Sequence, residues 1–310
     1  MKTRISPVLI TFALVCFALV QNMRAVSPAP DGGYPGGNTA EGQTALFSLT
    51  TGGYNTAVGF FSLRSDSTGS FNTAIGAGTL LANTEDGNTA SGTGALLSNT
   101  TGSNNMANGA FALFSNTTGN NNTASAWEAL IHNTTGNNNT AVGTVALYSN
   151  TIGSRNTATG DLALFFNTTG INNTANGAEA LSLNTTGNNN TAVGFEALGN
   201  GTGDLNTATG YQALFSNTSG GSNTADGYQS LHNNTTGSFN VALAGGFNLT
   251  TGDFNIDIGN DAFAGESATI RIGSSCCQTS TFIAGIFGVT ASAGTAVYVK
   301  SSGQLGTMTS

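Results

Sequence analysis

Apolar and polar positions along this chain recur with a period of about 17 residues. Each unit reads Asn-Thr-Ala-x-Gly-x-x-Ala-Leu-x-x-Asn-Thr-Thr-Gly-x-x; ten of the thirteen spacings between its leading asparagines are 17 residues, two are 16 and one is 15. A short fixed period is typical of one small supersecondary unit stacked on copies of itself. The leading asparagines are Asn38, Asn55, Asn72, Asn88, Asn105, Asn122, Asn139, Asn156, Asn173, Asn190, Asn206, Asn223, Asn240 and Asn255.

The candidate core follows from three positions, numbered from the leading asparagine. Position 3 is alanine through Ala242, position 5 is glycine in nearly every unit, and position 9 is leucine in twelve successive units. A coil this short encloses a narrow interior, which alanine, glycine and one leucine would fill. We therefore expect the position-9 leucines to form the core: Leu46, Leu63, Leu80, Leu96, Leu113, Leu130, Leu147, Leu164, Leu181, Leu198, Leu214 and Leu231.

The Asn-Thr-Thr-Gly segment at positions 12–15 supplies residues that tolerate a positive φ, so it predicts a tight corner. The remaining positions predict two or three short strands per coil, paired with the coils above and below, and ladders of stacked Asn and Thr. The sequence thus predicts an all-β fold, a parallel β-solenoid of about fourteen coils over residues 38–273. Low charge and abundant Asn, Thr and Gly could also indicate disorder, but a disordered linker has no reason to keep Leu and Ala in register.

Position 10 carries an apolar stripe that the alternation of a strand would place on the outer surface, because position 9 points inward. It is apolar in eight of twelve units. A long outward apolar stripe is typical of an interface. We expect a homo-oligomer contact; a stripe that binds another partner, or a corner that turns inward, are the alternatives. The residues are Phe47, Leu81, Leu97, Phe114, Ile131, Tyr148, Phe165 and Phe215.

Positions 6 and 7 carry scattered aromatic residues followed by Glu or Gln. Such pairs could bind sugars or a receptor, whereas the simpler interpretation is a strand edge kept soluble by a polar side chain. The aromatic residues are Phe60, Trp127, Phe195, Tyr211 and Tyr228, and the polar ones are Glu128, Glu179, Glu196, Gln212 and Gln229.

The N-terminus resembles a secretory signal peptide. Lys2 and Arg4 precede an apolar run at residues 8–20 that is short for a membrane span, and cleavage near Ala25 fits; an uncleaved anchor is the alternative. Residues 26–37 would form a linker. Removing residues 1–25 takes away three of the seven basic residues and none of the fifteen acidic ones, so the net charge changes from −8 to −11. This chain lacks the basic surface of a nucleic-acid binder, and we expect no membrane insertion after signal removal.

Candidate catalytic chemistry is sparse, and we expect no enzyme activity and no cofactor. His132 and His232 lie six coils apart, roughly 28 Å at the usual strand spacing. Asp257, Asp261 and Glu266 form the one carboxylate cluster, which fits exposed loop charges better than a metal site. The adjacent Cys276 and Cys277 form no metal motif. The Asn-Thr-Thr sequences at Asn116, Asn133, Asn167, Asn184 and Asn234 are formal glycosylation acceptors, but their fixed place in the repeat favours corner residues.

The repeats resemble the head repeats of trimeric autotransporter adhesins, which also carry a polar-Ala-x-Gly strand. The clearest match is Asn255-Ile-Asp-Ile-Gly, followed 14 residues later by Thr269-Ile-Arg-Ile-Gly. The resemblance covers residues 38–273 and implies a left-handed β-roll, a homotrimer and a role in adhesion. A heptad stalk and C-terminal barrel strands, which anchor those adhesins, do not follow the repeats.

Residues 274–310 predict a short β-rich segment. The alternation at 281–289 and 296–300 indicates strands, and Ser301-Ser-Gly-Gln a turn between strands. The ending at 303–310 resembles the segment that precedes the intramolecular chaperone of phage tail spikes and endosialidases. That similarity also implies a trimeric fibre.

Together these features predict a secreted or cell-surface structural and adhesive fibre segment, a homotrimer whose host or matrix ligand the sequence does not name. The main alternative is a binding module, a solenoid with a flat threonine face for ice or carbohydrate. Threonine at positions 2, 13 and 14 favours it, although the Thr-Thr pair at the corner would point in two directions. A polysaccharide lyase would need longer coils and clustered basic and acidic residues.

Overall fold

The computed structural model describes residues 34–274, 276–278, 280, 297–299 and 305–306. The expected signal peptide at 1–25, most of the linker at 26–37 and the apolar alternation at 281–289 lie outside the described residues. The chain divides into two compact units, Met1–Ile272 and Gly273–Ser310.

The first unit is a parallel β-solenoid, which confirms the fold class expected from the period. Its fifteen strands follow one another in a single sheet in chain order. Pairing is in register, so that Ala107 of one coil lies beside Ala124 of the next. The part of the chain that the structure describes contains no helix. The strands are β1 Thr39–Glu41, β2 Thr56–Val58, β3 Thr73–Ile75, β4 Thr89–Ser91, β5 Met106–Asn108, β6 Thr123–Ser125, β7 Thr140–Val142, β8 Thr157–Thr159, β9 Thr174–Asn176, β10 Thr191–Val193, β11 Thr207–Thr209, β12 Thr224–Asp226, β13 Val241–Leu243, β14 Ile256–Ile258 and β15 Ile270–Ile272.

Each coil contributes one strand, so the expectation of two or three strands per coil was wrong. After the strand, positive-φ residues alternate with others: in the coil that begins at Asn105, φ is 148° at Gly109, 60° at Phe111 and 51° at Leu113. This alternation curls the chain instead of extending it. The curled part is still bonded to both neighbouring coils, since Phe111 N donates to Thr93 O at 3.0 Å and Leu113 N to Ala129 O at 3.0 Å. Backbone pairing therefore continues around the coil beyond the strand.

The core consists of stacked alanine and leucine side chains. Alanine at positions 3 and 8 and leucine at position 9 are buried in successive coils. All twelve position-9 leucines are at most 8% exposed. One buried leucine stabilises a coil by roughly 1.5–3 kcal/mol, so coil-to-coil hydrogen bonding is needed to offset the entropy of ordering about 17 residues.

Two asparagine ladders and a threonine row, expected from the corner sequence, are present. At position 12, Asn116 Nδ2 donates to Asn99 Oδ1 of the preceding coil at 2.7 Å and to Gly119 O at 3.0 Å. At position 1, Asn122 N donates to Asn105 Oδ1 at 2.9 Å. Position 13 adds a hydroxyl row, in which Thr117 Oγ1 donates to Thr134 O at 3.0 Å. Because each asparagine serves its own corner and the next coil, the ladders tie successive corners together.

The position-12 ladder is interrupted where the repeat departs from its consensus. Asn184 Oδ1 and Asn234 Oδ1 are buried without a hydrogen-bond partner. The coil after Asn184 is one residue shorter and has Gly201 before its Thr-Gly, and the coil after Asn234 has the buried Leu249 in this place. In both places the next coil lacks the amide that would donate to the free carbonyl.

The second unit contains a two-stranded antiparallel sheet. β16 Tyr298–Val299 pairs with β17 Leu305–Gly306, with Tyr298 opposite Gly306 and Val299 opposite Leu305. This pairing is the one expected for a short C-terminal hairpin.

Candidate functional site

The outer face of the long sheet displays two straight columns of side chains. From β1 to β14 the middle residue of each strand is buried in the core, whereas positions 2 and 4 point outward. Position 2 is threonine in eleven of the twelve strands from β1 to β12, with Met106 as the exception. We call these residues the threonine column: Thr39, Thr56, Thr73, Thr89, Thr123, Thr140, Thr157, Thr174, Thr191, Thr207 and Thr224.

The threonine column is open to solvent. All of its side chains are exposed or half-buried, and no hydrogen bond joins their hydroxyls to another residue that the structure describes. The corner threonines at position 13 differ, since their hydroxyls donate to the next coil, as Thr100 Oγ1 does to Thr117 O at 2.9 Å. Column hydroxyls therefore remain available for an external ligand or for water.

Position 4 provides the second outward column of this face, and its residues are uncharged from β2 to β11. It is valine, isoleucine, serine, asparagine or threonine throughout this stretch; the first charges are Glu41 in β1 and Asp226 in β12. Two strands read Thr-Ala-Thr, namely β8 and β11. From the sequence, threonine at position 2 counted in favour of a threonine face, but the Thr-Ala-Thr strands, which place two threonines on one strand face, were not identified.

The position-10 stripe lies outside the core, but it is largely covered by its own members. Phe47, at the N-terminal end, is 71% exposed, while the other seven residues are half-buried. The rings of Tyr148 and Phe165 stack with centroids 4.9 Å apart. Further along, the His232 ring lies between Phe215 and Phe247, at 5.4 and 5.3 Å. The stripe therefore presents ring edges and flanks, and His232 and Phe247 belong to it although the sequence pattern did not include them.

Three of the five aromatic residues at position 6 form a stack in the C-terminal half of the solenoid. The Tyr211 ring lies 5.6 Å from Phe195 and 5.3 Å from Tyr228, and neighbouring planes differ by 14° and 9°. A sugar stacks on an open ring face, whereas here the faces cover one another. Beside the stack, Gln229 Nε2 donates to Gln212 Oε1 at 3.0 Å. The arrangement favours a self-supporting ladder over a carbohydrate platform.

The last two coils replace core alanine with charged residues. Asp257 stands at position 3 of its coil, is 1% exposed, and has no hydrogen-bond partner on either carboxylate oxygen. Burial, reinforced by the nearby Glu266 carboxylate, raises the pKa of Asp257 to about 6, and Arg271 opposes this shift. A buried charge without a hydrogen bond is unfavourable, so Asp257 is a local weak point.

Arg271, at the same position one coil later, is held by Glu266. Its Nε donates to Glu266 Oε1 and Oε2 at 3.0 and 2.9 Å, and its Nη2 donates to Oε2 at 2.7 Å. Its guanidinium lies 4.5 Å from the centre of the Phe263 ring. Burial acts against ionisation of Glu266, but the hydrogen bonds from Arg271, the backbone hydrogen bond from Phe263 N and the charge of Arg271 together outweigh it and lower the pKa of this carboxyl. Terminal repeats of solenoids often carry polar residues in place of apolar ones, and this group fits that pattern.

The carboxylate cluster expected from the sequence is only partly assembled. Asp257 and Glu266 are close enough to influence each other, whereas Asp261 is exposed. Arg271 is the partner that the sequence pattern did not supply. Across residues 34–274 and the short described stretches beyond them, no three His, Cys, Asp or Glu side chains are grouped as metal ligands would be.

The remaining candidates occupy separate places. His132 contacts the Tyr148 ring at 4.8 Å, and His232 lies several coils away in the stripe described above. Asn116, Asn133, Asn167, Asn184 and Asn234 are fully buried and use Nδ2 in the position-12 ladder. An amide that is buried and bonded in the folded chain is closed to glycosylation.

In the coil that begins at Asn55, Asp66 occupies position 12, where most other coils have the ladder asparagine. Gly69 N donates to its Oδ1 at 2.8 Å and Asn72 Nδ2 to its Oδ2 at 3.2 Å. Burial raises the pKa of Asp66, and these hydrogen bonds oppose the shift. The residue is thus a ladder member with an acidic side chain.

No helix in the described portion of the chain has the length and apolar character needed to cross a membrane. Comparisons with protein-family models, curated proteins and solved structures found no match to this chain.

Proposed function

We propose that this chain is a secreted or surface-exposed structural and adhesive fibre segment, which acts through its repetitive outer surface and without catalysis. The observation that carries the proposal is the in-register stack of fifteen strands, which displays the same side-chain chemistry once per coil. At about 4.8 Å per step, fourteen steps give a solenoid on the order of 65 Å long.

Repetition favours adhesion because many weak contacts on one rigid body add up. Once one coil has bound a repetitive surface, its neighbours bind at a high effective concentration, so avidity exceeds the affinity of any single contact. The described residues, by contrast, offer no grouped set of titratable side chains in a cavity of the kind that catalysis uses. The resemblance to adhesin head repeats supports the same interpretation.

A homotrimer is part of the proposal. The stripe made of Phe47, Leu81, Leu97, Phe114, Ile131, Tyr148, Phe165 and Phe215 would lie between chains, where its ring edges would become buried. It runs parallel to the stacking direction, so copies of the chain could associate side by side along their lengths.

Retention on surfaces tests the adhesive function. Beads coated with the protein would be washed over glass coated with extracellular matrix, over cellulose, over chitin and over polycrystalline ice. The matched variant deletes residues 139–189, which are three whole coils and leave the register intact. We expect retention on at least one probe that falls steeply in the shorter variant. Retention on none of the four, or retention that does not depend on coil number, would overturn the proposal.

The second candidate is an ice- or carbohydrate-binding module. The mutual stacking of Phe195, Tyr211 and Tyr228 disfavours the carbohydrate half of this alternative. The uncharged threonine column favours ice as the ligand of such a module.

A further inference from the structure

The threonine column has a regular geometry set by the backbone. Thr123 lies beside Thr140 and Thr140 beside Thr157 in the sheet register. Hydrogen-bonded strands lie about 4.8 Å apart, and residues two apart on a strand are separated by about 6.6 Å. Positions 2 and 4 therefore form a two-dimensional grid, in which the shorter repeat is close to the spacing of water oxygens along an axis of hexagonal ice.

The side chains of the column are suited to hold that grid in place. Threonine is β-branched, so its χ1 angle is restricted and each residue presents its methyl and hydroxyl in few orientations. Since the hydroxyls make no hydrogen bond to the described protein residues, they can bond to water. Methyl groups between them leave the surface too apolar to hold a disordered hydration layer tightly.

The distribution of charged residues on the chain indicates which class of ligand the face formed by positions 2 and 4 could bind. From β2 to β11 neither outward column carries a charged residue, although the chain as a whole has a net charge of −8. A protein partner would be expected to meet aromatic or arginine anchors, and neither type occurs on this face. A polymeric sugar would be expected to meet open aromatic rings, which are also absent from these strands. The water molecules of ice are uncharged and can form hydrogen bonds with the threonine hydroxyls, so binding them requires neither arginine nor aromatic side chains.

We propose that the outer face of β2–β11 binds ice, with the threonine column as the contact surface. The inference rests on the adhesive function proposed above and names its ligand. A rigid grid that already matches one repeat of the ligand loses little entropy on binding, and nine of the ten strands supply an equivalent threonine contact.

The test compares two sets of threonines on different faces: Thr123 and Thr140 are half-buried and Thr157 is exposed, whereas the three control threonines are exposed. The triple variant Thr123→Lys, Thr140→Lys, Thr157→Lys places three charges on neighbouring strands of the proposed face. The control variant Thr118→Lys, Thr135→Lys, Thr169→Lys adds the same charge at position 14, where these threonines are exposed at the corner. Thermal hysteresis and incorporation of fluorescently labelled protein into a growing ice hemisphere are measured for each, and circular dichroism checks folding.

We expect the unaltered protein and the control variant to enter ice, and incorporation of the sheet-face variant to fall at least tenfold. If the lysines prevent folding, the single variant Thr140→Tyr is tested instead. Tyrosine is neutral and favours strands, but its ring would stand above the face and keep ice away. This variant should also lose most of its incorporation into ice. Exclusion of the unaltered protein from ice, or equal losses in the two triple variants, would overturn the inference.

Failure of this inference is distinguishable from failure of the adhesive function. Exclusion from ice combined with coil-dependent retention on matrix, cellulose or chitin would refute ice as the ligand and leave adhesion intact. Retention on no probe at all would refute both.

Discussion

Asp257 of β14 lies directly opposite Arg271 of β15 in the sheet register, yet the guanidinium of Arg271 donates its hydrogen bonds to Glu266. The acid and the base that replace core alanine are therefore adjacent without forming an ion pair. Glu266 and the Phe263 ring hold the guanidinium of Arg271, which is half-buried, whereas Asp257 is fully buried. The last two strands of the solenoid therefore carry charge where the earlier strands have alanine, and one of these groups is a carboxyl that folding disfavours in its ionised form.

Stability of this end should depend on pH. The pKa of Asp257 in the folded chain, about 6, lies above the ordinary aspartate value of 3.8, so folding favours the protonated carboxyl. The stabilising contribution is complete below about pH 4 and is lost as the pH rises through about 6. Asp257→Ala, which restores the alanine of the other coils, should therefore be more stable than the unaltered protein at pH 8, by about 1–3 kcal/mol.

Hydrogen exchange of the amides in β13–β15 measures this local stability. The difference between variant and unaltered protein should shrink from pH 8 to pH 4. Asp261→Ala serves as the control, because this carboxyl is exposed, and its effect should be small at both values. A difference for Asp257→Ala that is the same at both pH values would contradict the explanation.

The position-12 ladder predicts unequal costs for chemically identical substitutions. Asn133 donates to Asn116 Oδ1 at 2.8 Å and accepts from Asn150 Nδ2 at 2.8 Å, whereas Asn184 donates to Asn167 Oδ1 at 3.0 Å and its own Oδ1 has no partner. Each buried group left unpaired costs about 1–3 kcal/mol. Asn133→Ala should therefore lower the free energy of unfolding by roughly 1 kcal/mol more than Asn184→Ala, as measured by urea denaturation. Equal costs would show that the ladder bonds contribute little.

How far the sequence predicts this fold depends on the residue type at each position. Leu113 and Asn116 could be assigned correctly because a narrow coil accepts one leucine and a buried asparagine needs a repeated partner. Sequence reasoning missed the conformation of Leu113, whose φ is 51°. Leucine rarely adopts that region, which costs roughly 1–2 kcal/mol, and only pairing with both neighbouring coils makes it acceptable. Because these positive-φ residues curl the chain, the second and third strands that the sequence predicted for each coil do not form.

The surface was harder to predict than the core. Position 10 was expected to expose an apolar stripe, and the partial covering of Tyr148 by Phe165 arises only once coils stack in register. At the last strand, Arg271 donates its hydrogen bonds to Glu266, five residues away in the chain, and not to its strand neighbour Asp257. Such choices follow from local geometry that a repeat pattern does not encode.

Leucines inside and outside the core should respond differently to truncation. Leu147 is fully buried, and Leu183, at position 11, is 42% exposed. Truncating a buried leucine to alanine costs about 2–5 kcal/mol through lost burial and the remaining cavity. Leu147→Ala should shift the urea midpoint clearly, and Leu183→Ala should shift it far less. Similar shifts of the urea midpoint for both variants would contradict the assignment of position 9 to the core.

The homotrimer predicts a solution mass three times that of one chain, and a charge placed in the position-10 stripe should reduce it. Tyr148→Glu with Phe165→Glu puts two carboxylates where the two rings stack, and burying them between chains would require desolvating both charges. Light scattering coupled to size-exclusion chromatography should then report a single chain. Leu183→Glu is the control, since this leucine lies at position 11, outside the stripe, and is 42% exposed; it should leave the trimer intact. A single-chain mass for the unaltered protein would refute the trimer, whereas loss of the trimer in the control as well would move the interface away from the stripe.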